Sequence, residues 1–153
     1  MARMKKRCKQ YKPRMVNVPV MPDLQWEFMA ASHGALAALR LAPSGAAFDQ
    51  LAATFNVIYV ALHDKGIASP ILESGMRVLV DVAESEQRTG KIVLGQYDVR
   101  PLELAVIECE QLVKQLDIMS LYLAQKKIRL IAAAEAAAKV NFQPAAQLQE
   151  EAA

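Results

Sequence analysis

The stretch PLELAVIECEQLVKQLDIMSLYLAQKKIRLIAAAEAAAKV, Pro101–Val140, decides the architecture. From Leu102 its core positions fall at steps of three and four: Leu102, Ala105, Cys109, Leu112, Leu116, Met119, Leu123, Lys126, Leu130, Ala133 and Ala137. Ten of those eleven are apolar, and no Gly or Pro interrupts residues 102–140. Such spacing keeps one face of a helix apolar over many turns. It predicts a single helix over 101–139, about 57 Å long at 1.5 Å per residue. Asp117–Ser120 is the one place for a break, with Ser120 as the alternative cap. A rod of that length exceeds the ~30 Å breadth expected of a compact domain of this size. Its distal half is therefore expected to project or to pack on another chain. Leu116, Met119, Leu123, Leu130, Ala133 and Ala137 are the candidate oligomer interface.

Working backwards, Gly90, Gly66 and Pro43 punctuate three shorter helices. One is expected over 23–41, capped by Asp23 and striped by Leu24, Phe28, Ala31, Ala35 and Leu39. A second spans 44–65, capped by Ser44, with Phe48, Leu51, Phe55, Ile58 and Leu62 facing inward. The third, 70–89, opens on Ser69-Pro70, the cap-then-proline order favoured at helix starts. Leu72, Met76, Leu79 and Ala83 form its stripe. Residues 91–98 read as a connector with a short β-like piece at Ile92-Val93-Leu94. The fold class expected is all-α: a bundle of about four helices with a long C-terminal helix and an extended basic N-terminal arm. The arm covers 1–22, the helical domain 23–140 and a loose tail 141–153.

Composition agrees. The hydrophobic share is 54% and the aromatic share 6%, with six glycines in 153 residues. Much of the apolar content is alanine, the strongest helix former. Charge is segregated: residues 1–14 hold seven basic side chains and no acidic one, while the remainder holds eleven basic and sixteen acidic. Arg3, Lys5, Lys6, Arg7, Lys9, Lys12 and Arg14, with Tyr11 among them, are the candidate contact for nucleic acid or an acidic partner. Cations neutralise phosphates, and an aromatic ring stacks on an unpaired base. Helix 70–89 carries few basic residues to enter a groove, so sequence-specific DNA reading is not expected.

Cys8 and Cys109 form no disulfide framework, which points to a reduced compartment. Val16–Asp23 contains two prolines and an aspartate and makes no secretory core, and no run of ~18 apolar residues suggests a membrane span. The expected location is cytoplasmic, without membrane contact. Catalytic signals are weak. His33 and His63 stand apart, no His-x3-His, Glu-x2-His or Cys-x2-Cys pair occurs, and no phosphate-binding glycine loop or nucleophile elbow is present. Cys109 occupies a core position, where thiols are inert. Cys8, between Arg7 and Lys9, is expected to have a lowered pKa but lacks a base. Glu84, Glu86, Glu103, Glu108 and Glu110 read as a solvated face. No catalytic residue, cofactor or metal is expected.

Tyr11–Val16 (Tyr-Lys-Pro-Arg-Met-Val) and Leu36–Ser44, a helix end with Leu-Ala-Ala-Leu followed by an Ala-Pro-Ser turn, resemble a group of small helical proteins of proteobacterial phages and prophages. The likeness covers the layout of the first 90 residues or so, and the alanine-rich helix after residue 120 departs from it. The resemblance implies a phage or prophage setting in a bacterial cytoplasm and carries no assigned activity or residue roles. The expected function is a non-enzymatic interaction protein acting through protein–protein contacts, self-association included. A nucleic-acid-associated accessory protein using the arm is the alternative, and an enzyme comes third.

Overall fold

A computed structural model describes residues 18–140, with side chains to 136. The described residues are all-helical: α1 (Pro22–Leu41), α2 (Gly45–Asp64), α3 (Pro70–Thr89), α4 (Val99–Gln115) and α5 (Ile118–Val140). Two expectations change here. The bundle formed by the described residues has five helices rather than about four, and the continuous helix over 101–139 is two helices meeting at an elbow. Among the described residues Ile92-Val93-Leu94 forms no strand; Ile92 and Leu94 are half-buried and pack against the core from a loop.

The first three helices end where local chemistry ends them. Ser44 Oγ accepts from Ala47 N at 3.3 Å, and Ser69 Oγ accepts from Leu72 N at 3.4 Å, each satisfying a free first-turn amide. After α2 the chain turns through Gly66 at φ 70°: Gly66 N donates to His63 O and Ile67 N to Leu62 O, both at 3.0 Å. That paired closure needs a left-handed residue, which glycine supplies without steric cost. α1 differs from expectation. Its N-cap is Met21, without a side-chain cap bond, and Pro22 takes the first helical position, so Asp23 sits inside the first turn.

α2 is the centre of the molecule and touches every other helix. Leu51, Phe55, Ile58, Ala61 and Leu62 are buried along it. It is also the one described helix long and apolar enough to cross a membrane by length and composition, although its inward stripe fills the bundle core. α3 packs on α4 and α2, and α1 on α2 and α4, so the first four helices enclose one core. The tightest approach is at Gly75 of α3, where an added Cβ would come within 2.4 Å of Ala105 Cβ on α4. In α1 the buried stripe is Ser32, Ala35, Leu36 and Leu39, which leaves Leu24 largely exposed at the other end. Buried Ser32 donates its hydroxyl to Phe28 O at 2.8 Å, so no polar atom is stranded.

Among the described residues α5 packs on α2 and on no other helix. Before α1, Val18–Met21 runs as a strap beneath the elbow. Pro19 pairs antiparallel with Asp117, Val18 O accepts from Ile118 N at 2.9 Å, and Val20 is buried.

Candidate interaction surfaces

The elbow is built on Asp117. Leu116 takes an extended conformation (φ −88°, ψ 157°) that ends α4. Asp117 then caps α5: its Oδ1 accepts from Ser120 N at 2.7 Å and its Oδ2 from Ser120 Oγ at 2.9 Å. Lys65, just past the end of α2, donates Nζ to Asp117 Oδ2 at 2.7 Å. The cap that Ser120 offered as the alternative to a continuous helix is thus supplied by Asp117, with Ser120 as the donor. Lys65's hydrogen bond, followed by the Ser120 amide, holds the Asp117 carboxyl down at about 2. Burial opposes this shift, but the donors prevail because they favour the charged form.

The extended residue at 116 also re-phases the chain, and that defines the surface. Along α4 the expected stripe is buried at Leu102, Ala105, Cys109 and Leu112, and Leu116 lies in the core as well. Leu116 is therefore removed from the candidate oligomer interface. Past the elbow the buried face is a different one. Ala124 is fully buried, and Ile118, Leu121 and Ile128 are half-buried. At 100° per residue this inner stripe lies roughly opposite the stripe through Met119, Leu123, Lys126, Leu130 and Ala133. That outer stripe is open: Met119 is 51%, Leu123 45% and Leu130 63% exposed. Ala133 is exposed too, while the side chain of Ala137 lies outside the described residues. Every side chain from Arg129 to Ala136 is exposed, so this end of α5 rests on nothing among the described residues.

The two faces of α5 carry different anchors. Lys127 Nζ donates to Asp64 Oδ1 at 2.9 Å, pinning the helix to the end of α2. Lys126 and Arg129 are exposed. No family model, curated protein or solved structure matches the chain.

An open apolar cleft of about 310 Å³ lies between α1, α2, α5 and the strap. Val20, Leu24, Phe28, Val57, Ile118 and Leu121 supply its greasy walls, and Tyr122 and Gln125 its polar groups. Met21 and Trp26 are exposed nearby in sequence, at 59% and 69%.

Other sequence candidates find structural work. Glu103, Glu108 and Glu110, read as a solvated face, are half-buried and partnered. Arg40 donates to Glu103 at 2.8 Å, Ser69 Oγ to Glu108 at 3.1 Å, and His33 pairs with Glu110, tying α1 and α3 to α4. His63 is exposed with its ring 6.3 Å from that of Tyr59. Cys109 is buried, and burial, with Glu108 and Glu110 adding negative charge, pushes its thiol up to about 12. That leaves it without thiolate at neutral pH. Among the described residues no three His, Cys, Asp or Glu side chains gather to hold a metal. The arm residues Arg3, Lys5, Lys6, Arg7, Lys9, Tyr11, Lys12 and Arg14, and Cys8, lie outside the described residues.

The sequence reading named Asp117–Ser120 as the one place for a break but not the capping role of Asp117, and it missed the inner stripe. Ile118, Leu121, Ala124 and Ile128 are also spaced at three and four, so a second apolar face was visible in α5. A helix with two opposed apolar stripes and lysines between them is the signal that would have exposed it.

Proposed function

We propose that this chain is a non-enzymatic helical interaction protein that works through protein–protein contacts, with α5 as its contact element and a second copy as its first partner. The observation that carries the reading is the outer stripe of α5, apolar and half or more exposed at Met119 and Leu130, on the side turned away from α2. An unpaired apolar stripe at three-and-four spacing is what a helix pair buries. Alanines at 132–134 and 136 leave room for close approach along the same rod. The N-terminal resemblance favours a phage or prophage protein of the bacterial cytoplasm that regulates or modulates a host or phage protein.

Sedimentation of the full chain tests the reading. Mass is expected to rise with concentration and to stay high at ~0.5 M salt, where screening shortens charge–charge reach to a few ångström. Leu123→Asp with Leu130→Asp is expected to return it to monomer mass; a wild-type monomer at all concentrations, binding no other protein, sinks the proposal. The seven cations of residues 1–14 favour a second reading, an accessory nucleic-acid contact. There, removal of residues 1–14 abolishes binding, and the intact chain's affinity falls steeply with salt.

A further inference from the structure

The elbow between α4 and α5 is short and its sequence is helix-competent. Leu116 is the one extended residue, Asp117 is a cap, and neither Gly nor Pro occurs from 102 to 140. The core stripe of α4 continues into the outer stripe of α5 at unbroken spacing, so a straight helix keeps one apolar face from Leu102 to Ala133. The bent state is held by contacts distant in sequence: Lys65 on Asp117, and the Val18 carbonyl on the Ile118 amide. Among the described residues α5 is seated on no helix but α2, so that interface, with the strap bond at Ile118, keeps it home.

We propose that α5 exchanges between two copies of this chain: the Leu116–Asp117 elbow straightens, α4 and α5 become one helix, and the inner stripe of α5 seats on α2 of the second copy. This rests on the reading of α5 as a self-association element and goes beyond it by naming the surface the partner fills. The occupant is fixed by continuity with an interface already present. Ile118, Leu121 and Ala124, which pack into the core where α5 meets α2, would meet the same α2 face in either arrangement, so exchange forfeits none of that packing. Asp117, Lys65 and the strap are then a latch whose loss releases the rod.

The Lys127–Asp64 ion pair supplies the test, because it lies inside one chain in the bent form and between chains after exchange. Chains labelled with light and heavy nitrogen are mixed, unfolded and refolded together, separated by mass, and coupled with a carbodiimide that joins Asp64 to Lys127. Asp117→Leu is expected to raise the dimer-to-monomer ratio on the order of tenfold, the scale set by losing one helix cap. The coupled Asp64–Lys127 peptides of that dimer are expected to carry mixed labels in the proportion random pairing gives. Asp117→Asn, which keeps an acceptor for the Ser120 amide but gives up the ion pair with Lys65, is expected to fall between wild type and Asp117→Leu. A dimer whose coupled peptides carry one label only overturns the exchange and leaves outer-stripe pairing standing. Monomers throughout, wild type included, overturn both. Should Asp117→Leu fail to fold, Lys65→Met removes the other half of the latch, and single-label peptides at every concentration are then the refuting result.

Discussion

Two glycines in helix interiors set up a test of the packing with opposite signs. Replacing Gly by Ala within a helix removes backbone freedom from the unfolded chain and gains about 0.5–1 kcal/mol when the site has room. Gly34 in α1 has room: an added Cβ meets nothing within 4 Å. Gly34→Ala is expected to stabilise by about that amount. At Gly75 the same methyl lands 2.4 Å from Ala105 Cβ and 3.3 Å from Phe55 Cε2. Carbon atoms in contact sit at ~3.5–4.0 Å, so the shortfall against Ala105 is more than ~1 Å. Neither methyl has a torsion that moves it aside, and α3 must back away from α4. Overpacking of this kind costs about 1–3 kcal/mol, which outweighs the propensity gain. Gly75→Ala is expected to end about 1–2 kcal/mol below wild type, a separation of roughly 5–10 °C in Tm from Gly34→Ala. Urea and thermal unfolding followed by circular dichroism read both. Adding Ala105→Gly removes the opposing methyl and is expected to recover part of the loss. A Gly75→Ala protein as stable as wild type would refute the close α3–α4 approach, and with it the placement of the elbow that α4 carries.

Asp117→Ala is expected to cost about 1–2 kcal/mol near neutral pH, the scale of a lost helix cap. Because folding lowers this carboxyl to about 2, its contribution is present above the ordinary carboxylate range and lost as pH falls from about 4 to about 2. Urea titrations at several pH values check the sign: wild type and variant converge in acid, and a gap unchanged at pH ~2 refutes the role. Cys109, with its thiol pushed up to about 12 inside the core, is expected to react with an aromatic disulfide in a Cys8→Ser background only as the fold opens. Rates on the order of 100-fold slower than in urea are expected, and prompt native labelling contradicts its burial.

Much of the fold was legible because its punctuation is local. Ser44, Ser69-Pro70, Gly66 and Gly90 each act within one turn, and the helices they bound fall within a residue or so of expectation. The elbow was legible only as the one place for a break, at Asp117–Ser120; that the helix does break there was not, for the opposite reason. Phase and composition both favour continuing the helix through Asp117, and the contacts that stop it come from Lys65, 52 residues away, and from the Val18 carbonyl. Leu116 was misassigned to the outside by the same error, since a straight helix shares one face between its two halves. In α1 the expected stripe began too early. Leu24 matches the spacing, but the α2–α4 core receives the helix only from Phe28 onward, and Leu24 borders the cleft instead.

The far half of α5 makes the case for a partner on energetic grounds. Arg129–Val140 extends an established helix, so the unfavourable first turn has already formed upstream and each added residue needs only to propagate. Alanine at 132–134 and 136–138 does that best. Alanine therefore explains why the rod stays helical without support. It does not explain Leu130 at 63% and Ile131 at 50% exposed, which lysine or glutamate would match in helix propensity while improving solubility. Burying a side chain of that size is worth about 1.5–3 kcal/mol, and in the bent monomer little of that is realised. Met119 and Leu123 repeat the argument two turns earlier, on the side facing away from α2. Residues whose apolar surface stabilises nothing at home, Met119, Leu123 and Leu130 in register along one side of the rod, are what the proposed second surface would cover.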